Sequence, residues 1–323
     1  MADSKKAVLS VSCDPHGHYF ATTSEDRTIR IYLWADLHSN RKVFFLKLEG
    51  DHASKICFSP DGHYLLASLY DSRELLAYKI FRKKKEETGK IYELARTFPN
   101  KHQKGEITNV QMSNNSQHIL TCGNDTIINI WTLKGEISAT INTKQIKNHM
   151  ACISPNSEFI AVASFMEGVK IWKLSRSKEG LFLGIDNHPF TQLIGHHGSV
   201  FFVAFTSDSR CVLTAGKDST VKIWNIDVDY RREETPKVIA TLQHPTQGLA
   251  YTRLALSSND TTLAATFGGH LHFWDLKAKK LIEAIESAHL EPITDLCWAP
   301  NGQLITSSFD GQVRIWENPL TKK

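Results

Sequence analysis

No run of eighteen apolar residues occurs anywhere in the 323-residue chain, and the opening "MADSKKAVLSVSC" holds no apolar stretch of signal or membrane length. A soluble chain on the cytoplasmic side is therefore expected. Its six cysteines (Cys13, Cys57, Cys122, Cys152, Cys211 and Cys297) form no CxxC pair and no zinc spacing. They are scattered through apolar runs, which argues against a disulfide framework and for buried, reduced thiols. There is no glycine-rich phosphate loop, no GxSxG, no HExxH and no carboxylate pair outside the repeated units described below. No enzyme activity, cofactor or metal is expected. Charge of one sign is lacking too: 38 basic residues face 34 acidic ones, a net charge of +4. So slight an excess does not by itself imply a nucleic-acid partner.

What is present is a repeat. "KDSTVKIW", ending at Trp224, has relatives in "SEDRTIRIY", "GNDTIINIW" and "SFDGQVRIW", with weaker copies in "YDSRELLAY", "MEGVKIW" and "FGGHLHFW". The closing aromatics are Tyr32, Tyr78, Trp131, Trp172, Trp224, Trp274 and Trp316, 41 to 53 residues apart, which makes seven units. Within a unit, an apolar run such as "SVFFVAF" is followed by a turn, a second strand ("CVLTAG"), an Asp-containing turn and a third strand. Short runs between turn clusters mean short antiparallel strands, and no segment sustains a helical period. Repeats of roughly 40–45 residues closing on Trp are the mark of a propeller with four strands per blade.

The whole chain thus resembles the WD-repeat family, and the fold expected is all-β, a single seven-bladed propeller over residues 1–323. In that family a His before the first strand, a Ser/Thr on the second, an Asp in the turn and the closing Trp form a buried hydrogen-bonded set. The matching residues are Thr121, Asp125 and Trp131, Thr214, Asp218 and Trp224, and Thr306, Asp310 and Trp316, with Thr22, Asp26 and Tyr32 at the same offsets. His102, His196 and His289 lie 23, 22 and 21 residues before their aspartates, and His52 stands more loosely before Asp71. The carboxylate is expected to accept from the imidazole and from turn amides, with the imidazole passing a hydrogen bond to the hydroxyl. A His–Thr–Asp set found once could be catalytic; one repeated around a ring is scaffold. Units two, four and six lack the full set, with Glu167 near the fourth turn and no carboxylate at the sixth.

The connections "FRKKKEETGKIYEL", "SRSKEGLFLG" and "DVDYRREETPK" read as extended hairpins with solvated tips. In the first of them "RKKK" (82–85) could touch phosphate, but adjacent glutamates offset it. The first unit lacks an outer strand ahead of "AVLSVSC", so closure between first and last blades is expected to be incomplete, leaving an open sheet edge.

In WD-repeat proteins the residue before the turn Asp faces the partner-binding surface. The resemblance carries that position to Glu25, Tyr70, Asn124, Phe165, Lys217, Phe267 and Phe309, with Phe201 adding to it. Exposed aromatics beside a basic residue resemble a protein-interaction hot spot. Further stretches, "DHASKICFSPDGHYLL", "FPNKHQKGEITNV" and "WTLKGEISATINTKQIKNHMACISPNSEFIA", are similar to one subfamily, that of transducin beta-like protein 2. It implies an endoplasmic-reticulum-associated scaffold in stress signalling and translational control, a monomer within a larger complex, with an ER-resident stress kinase and translation components as partners. Members usually carry an N-terminal membrane segment, and a shorter or alternative N-terminus is expected here. The alternatives are an RNA-associated translation regulator and a ubiquitin-ligase substrate receptor, the latter on "WDLK" at 274–277.

Overall fold

Runs such as "VFFVAF" and "CVLTAG" are apolar on both faces because each strand pairs within its own sheet while the sheet packs against its neighbours, and most of their residues are buried. A computed structural model describes residues 4–36, 43–82, 91–99, 104–166, 168–177 and 182–321. It is a seven-bladed β-propeller, with no α-helix among the described residues.

The first blade is β1 (Val8–Cys13), β2 (Tyr19–Ser24), β3 (Thr28–Leu33) and β4 (Val43–Lys47). The second is β5 (Ala53–Phe58), β6 (Tyr64–Leu69), β7 (Leu75–Ile80) and β8 (Tyr92–Phe98). The third is β9 (Ile107–Met112), β10 (His118–Gly123), β11 (Ile127–Thr132) and β12 (Ile137–Asn142). In the fourth, β13 (Asn148–Ile153), β14 (Phe159–Ser164) and β15 (Val169–Arg176) are followed by an outer strand in two pieces, β16 (Phe182–Ile185) and β17 (Thr191–Leu193), both paired to β15. The fifth is β18 (Val200–Phe205), β19 (Cys211–Gly216), β20 (Thr220–Asn225) and β21 (Lys237–Gln243). The sixth is β22 (Arg253–Leu256), β23 (Thr262–Phe267), β24 (His270–Asp275) and β25 (Lys280–Ile285). The seventh, β26 (Ile293–Trp298), β27 (Leu304–Ser308) and β28 (Val313–Trp316), has three strands among the described residues.

Every pairing is antiparallel, and apart from β17 on β15 every pairing joins consecutive strands, so each blade is a meander. The second strands are buried along nearly their whole length, whereas outer strands such as β12, β21 and β25 alternate with solvent. In four blades the ladder between third and fourth strands shifts register at the closing aromatic: at Tyr78, Trp131, Trp224 and Trp274. Among the described residues no strand pairs with the outer edge of β28, and Trp316 is only half-buried, where the other six closing aromatics are buried.

Two of the three charged connections follow paired strands: β7 with β8, and β15 with β16. Their tips, with residues 83–85 and Glu167, lie outside the described residues. The third differs from the extended hairpin expected. After the Asn225–Lys237 pair the chain forms a short 3-10 turn, Tyr230–Arg232, because Asp229 caps it by accepting from Arg231 N–H. The Tyr230 hydroxyl donates back to the Ile226 carbonyl at 2.9 Å.

The innermost strands adjoin in cyclic order, β1, β5, β9, β13, β18, β22, β26 and back to β1. No strand ladder joins first blade to last among the described residues, and the seam is closed by other bonds. Ser4 N–H donates to the Gly311 carbonyl at 3.1 Å, where a Cβ on Gly311 (φ +76°) would collide with the Ser4 carbonyl. The Thr294 hydroxyl donates to the Val8 carbonyl at 2.7 Å. Asp295 accepts from the Ser10 hydroxyl at 2.6 Å and from Lys55 Nζ at 3.2 Å, tying three blades to one carboxylate. Burial draws the Lys55 ammonium below its usual range, and Asp295 opposes that. Asp295→Ala strands a half-buried cation, and a loss of about 3 kcal/mol in urea unfolding is expected.

Candidate functional site

In the fifth blade the four groups meet. Trp224 Nε1 donates to Thr214 Oγ1 at 2.8 Å, and His196 Nε2 lies 2.6 Å from the same oxygen. His196 Nδ1 is 3.0 Å from both Asp218 oxygens. Asp218 also accepts from His197 N–H at 3.0 Å and from the Thr220 hydroxyl at 2.7 Å. The seventh blade repeats this: Trp316 Nε1 to Thr306 Oγ1 at 2.9 Å, His289 Nε2 to that oxygen at 2.7 Å, and His289 Nδ1 to Asp310 at 3.0 Å.

Burial lowers the pKa of both imidazoles, more than their carboxylates raise it. Burial pushes the Asp218 and Asp310 carboxyls up, but hydrogen bonds from turn amides and the imidazole outweigh it and hold both below the usual range. Neutral histidine has one N–H, and the carboxylate claims it at Nδ1. Nε2 therefore accepts from the threonine hydroxyl, reversing the direction expected from sequence. The proton order runs indole to hydroxyl to imidazole to carboxylate.

The third blade has Trp131 Nε1 donating to Thr121 Oγ1 at 3.0 Å, while Asp125 accepts from Lys104 and Gly105 N–H at 2.9 and 2.7 Å. His102 lies outside the described residues. In the first blade Arg30 and Ser4 take the imidazole's place at Asp26, at 2.5 and 2.8 Å. The second blade departs from the expected His52–Asp71 pairing. Asp51, one residue earlier, reaches across to accept from Asp71 and Ser72 N–H at 3.1 and 2.9 Å, and the His52 ring stacks on Tyr70 with centroids 4.9 Å apart. Asp51, His52 and Asp71 offer ligand atoms within 4.8 Å of one another. Backbone amides already engage both Asp51 oxygens.

One register position explains the alternation. The residue two beyond the partner of the closing aromatic is Thr22, Thr121, Thr214 and Thr306 in odd blades, and Ala67, Val162 and Ala265 in even ones. With valine there, Trp172 Nε1 is buried with no partner among the described residues. In the sixth blade Tyr251 substitutes from the preceding loop: its hydroxyl accepts from Trp274 Nε1 at 3.2 Å and lies 2.7 Å from His272 Nδ1.

The residues before the turns divide. Glu25, Tyr70, Asn124 and Phe309 line one cavity of about 730 Å3 at the channel mouth, together with Phe201. Tyr70 and Phe309 are 43% and 50% exposed. Phe165, 53% exposed, lies outside that lining but joins it through His149, whose ring is 6.4 Å from Phe165 and 5.5 Å from Phe201. Lys217 is exposed but outside the lining. Phe267 lies outside that lining and is buried. Only 8% exposed, it packs edge-on against His244 at 4.3 Å and His272 at 4.8 Å. Asp275 of "WDLK" caps its own turn by accepting from Ala278 N–H at 2.9 Å.

Sequence reading missed the cavity's polar side: Lys55, His149 and Arg253. All three occur on first strands (Lys55 in β5, His149 in β13, Arg253 at the start of β22), where a polar residue inside an apolar run was the available signal. Burial, then Lys147 and Arg253, lower the His149 pKa, and its Nε2 has no partner among the described residues.

A family model described as "WD domain, G-beta repeat" matches residues 2–32, 92–132, 187–225 and 281–317. Transducin beta-like protein 2 of Homo sapiens is 33% identical over 315 residues, covering 96% of this chain and 69% of that protein. The Mus musculus protein of the same name is 33% identical over 314 residues, 96% and 70% respectively. The chain belongs to the transducin beta-like protein 2 family of WD-repeat proteins. A more distant relative is small ribosomal subunit protein RACK1 of Drosophila melanogaster, 25% identical over 195 residues, 56% of this chain and 55% of that protein. The four segments that match the WD model end at, or one residue past, the odd blades' closing aromatics, where the threonine is present.

Two outcomes follow from the buried sets. Val162→Thr gives the Trp172 indole an acceptor, and a gain of about 1 kcal/mol in urea unfolding is expected. Because the folded chain keeps His196 and His289 neutral, unfolding takes up protons once pH falls below about 6.5, the unfolded value. Stability present above that pH is lost as pH drops toward the lower folded values. The urea midpoint at pH 5.5 is expected below that at pH 7.5, with a smaller drop in a His196→Gln, His289→Gln variant.

Proposed function

We propose that this WD-repeat chain is a non-enzymatic scaffold, one propeller over residues 1–323, that docks protein partners at the mouth of its channel. The buried hydroxyl, imidazole, carboxylate and indole groups hold the blades in shape. The observation that carries the reading is the group of exposed rings Tyr70, Phe165 and Phe309 around one mouth, with Phe201 at its wall. Soluble folds seldom leave such rings on one rim without a use, and aromatic anchors over a concave centre are the commonest energetic focus of protein interfaces. Lys217 adds a charge outside that cavity.

The finer reading is an adaptor in endoplasmic-reticulum stress signalling and translational control, on the cytosolic face of that membrane, with an ER-resident stress kinase and translation components as partners. Support comes from the family relationship to transducin beta-like protein 2 and from a relative named as a small ribosomal subunit protein. No helix among the described residues is long and apolar enough to cross a membrane.

Affinity capture with mass spectrometry tests it, comparing the parent chain with a Tyr70→Ala, Phe165→Ala, Phe309→Ala variant. Partners are expected to drop at least tenfold while the melting temperature holds; unchanged partners refute the surface. Phe267→Ala gives the contrast, since truncating a buried ring costs about 3 kcal/mol through lost packing.

A further inference from the structure

The six cysteines look inert by spacing, yet the fold brings two of them together. Cys13 closes β1 and Cys297 is the fifth residue of β26, 284 residues later. Their strands adjoin across the seam between first and last blades, and the sulfurs approach to 2.8 Å. Both are free thiols. No other two sulfurs lie within hydrogen-bonding distance among the described residues. We infer that Cys13 and Cys297 are a thiol pair that oxidises to a reversible disulfide, a covalent staple across the propeller's seam.

The location gives the pair its consequence. The seventh blade has no described fourth strand, and no ladder crosses from it to the first. Among the described residues the seam carries the bonds Ser4 to Gly311, Thr294 to Val8, and Ser10 and Lys55 to Asp295, beside the packing of β1 on β26 and β27. Around the thiols lie Val8, Val11, Phe20, Ile305 and Val313, an apolar joint, with the Asp295 carboxylate close enough to raise the Cys297 thiol further. A bond between the sulfurs closes residues 13–297 into one covalent loop that takes in β2 to β25 and leaves β27 and β28 outside it. Long loops are where a cross-link most restricts the unfolded chain.

The oxidant is a low-molecular-weight disulfide of the glutathione class. One cysteine thiolate attacks a glutathione sulfur; the glutathione S–S bond breaks and a glutathione thiolate leaves. The second cysteine thiolate then attacks the protein sulfur of that mixed disulfide and expels the second glutathione thiolate. The two protein thiols lose two protons and two electrons, and oxidised glutathione becomes two glutathione thiols. Burial and the neighbouring Cys13 raise the Cys297 thiol well above its ordinary value. Closure is therefore slow near neutrality and accelerates with pH, because only the thiolate reacts.

The test incubates the full chain with oxidised glutathione at pH 8, alkylates it after unfolding, and maps it by intact mass and peptides. The expected product is 2 Da lighter, carries four alkylatable thiols of the six present, and yields a Cys13–Cys297 linked peptide. Its melting temperature rises by about 5 °C and returns on reduction with dithiothreitol. Cys13→Ser and Cys297→Ser each abolish the linked peptide and the rise; should one fail to fold, the other and the reduced parent supply the comparison. Six titratable thiols after oxidation, a mixed disulfide that never resolves, a link through other cysteines, or a linked form melting with the reduced one each overturn the proposal.

Discussion

In the fifth and seventh blades one threonine oxygen receives an indole N–H and passes its own proton to an imidazole, whose other nitrogen is fixed by a carboxylate. The hydroxyl and the imidazole of that chain are buried, so each depends on the next. A buried donor left without an acceptor costs about 1–3 kcal/mol, more than a satisfied bond contributes. The hydroxyl is the only member that touches both the indole and the imidazole. It decides whether a blade can close on tryptophan at full value.

The even blades show the same constraint met by other means. Asp51 reaches across the second turn, Tyr251 lends a phenol to the sixth blade, and the fourth leaves Trp172 Nε1 without a described partner. A propeller tolerates such variety because each blade is packed against two others, and neighbours share the work. Closure of the ring is different: among the described residues no ladder joins its ends, and a carboxylate, a hydroxyl and an apolar joint hold the seam. With the interior committed to holding shape, the rim is free to vary, and it carries the exposed rings.

Much of this is legible in the sequence, for identifiable reasons. Strand order, seven units and the Thr–Asp–aromatic offsets follow from periodicity, because the geometry of a β-turn fixes the spacing between a second strand and its closing ring. Substitutes were not legible: Asp51 stands twenty residues before Asp71, and Tyr251 lies in a loop with no repeated neighbour. Phe267 was misplaced because the sixth turn has glycines where the others have a carboxylate, and its ring folds in against His244 and His272. The polar side of the cavity escaped notice since Lys55 and Arg253 stand among apolar residues and face the channel rather than the core. A contact between residues 284 apart leaves no local trace at all.

A double-mutant cycle in the fifth blade tests the central claim most directly, combining Thr214→Val with Trp224→Phe in equilibrium urea unfolding. If the hydroxyl holds the indole, the two changes are coupled by about 1 kcal/mol or more. Strictly additive losses would contradict the account, because the indole and the hydroxyl would then be neighbours without being partners.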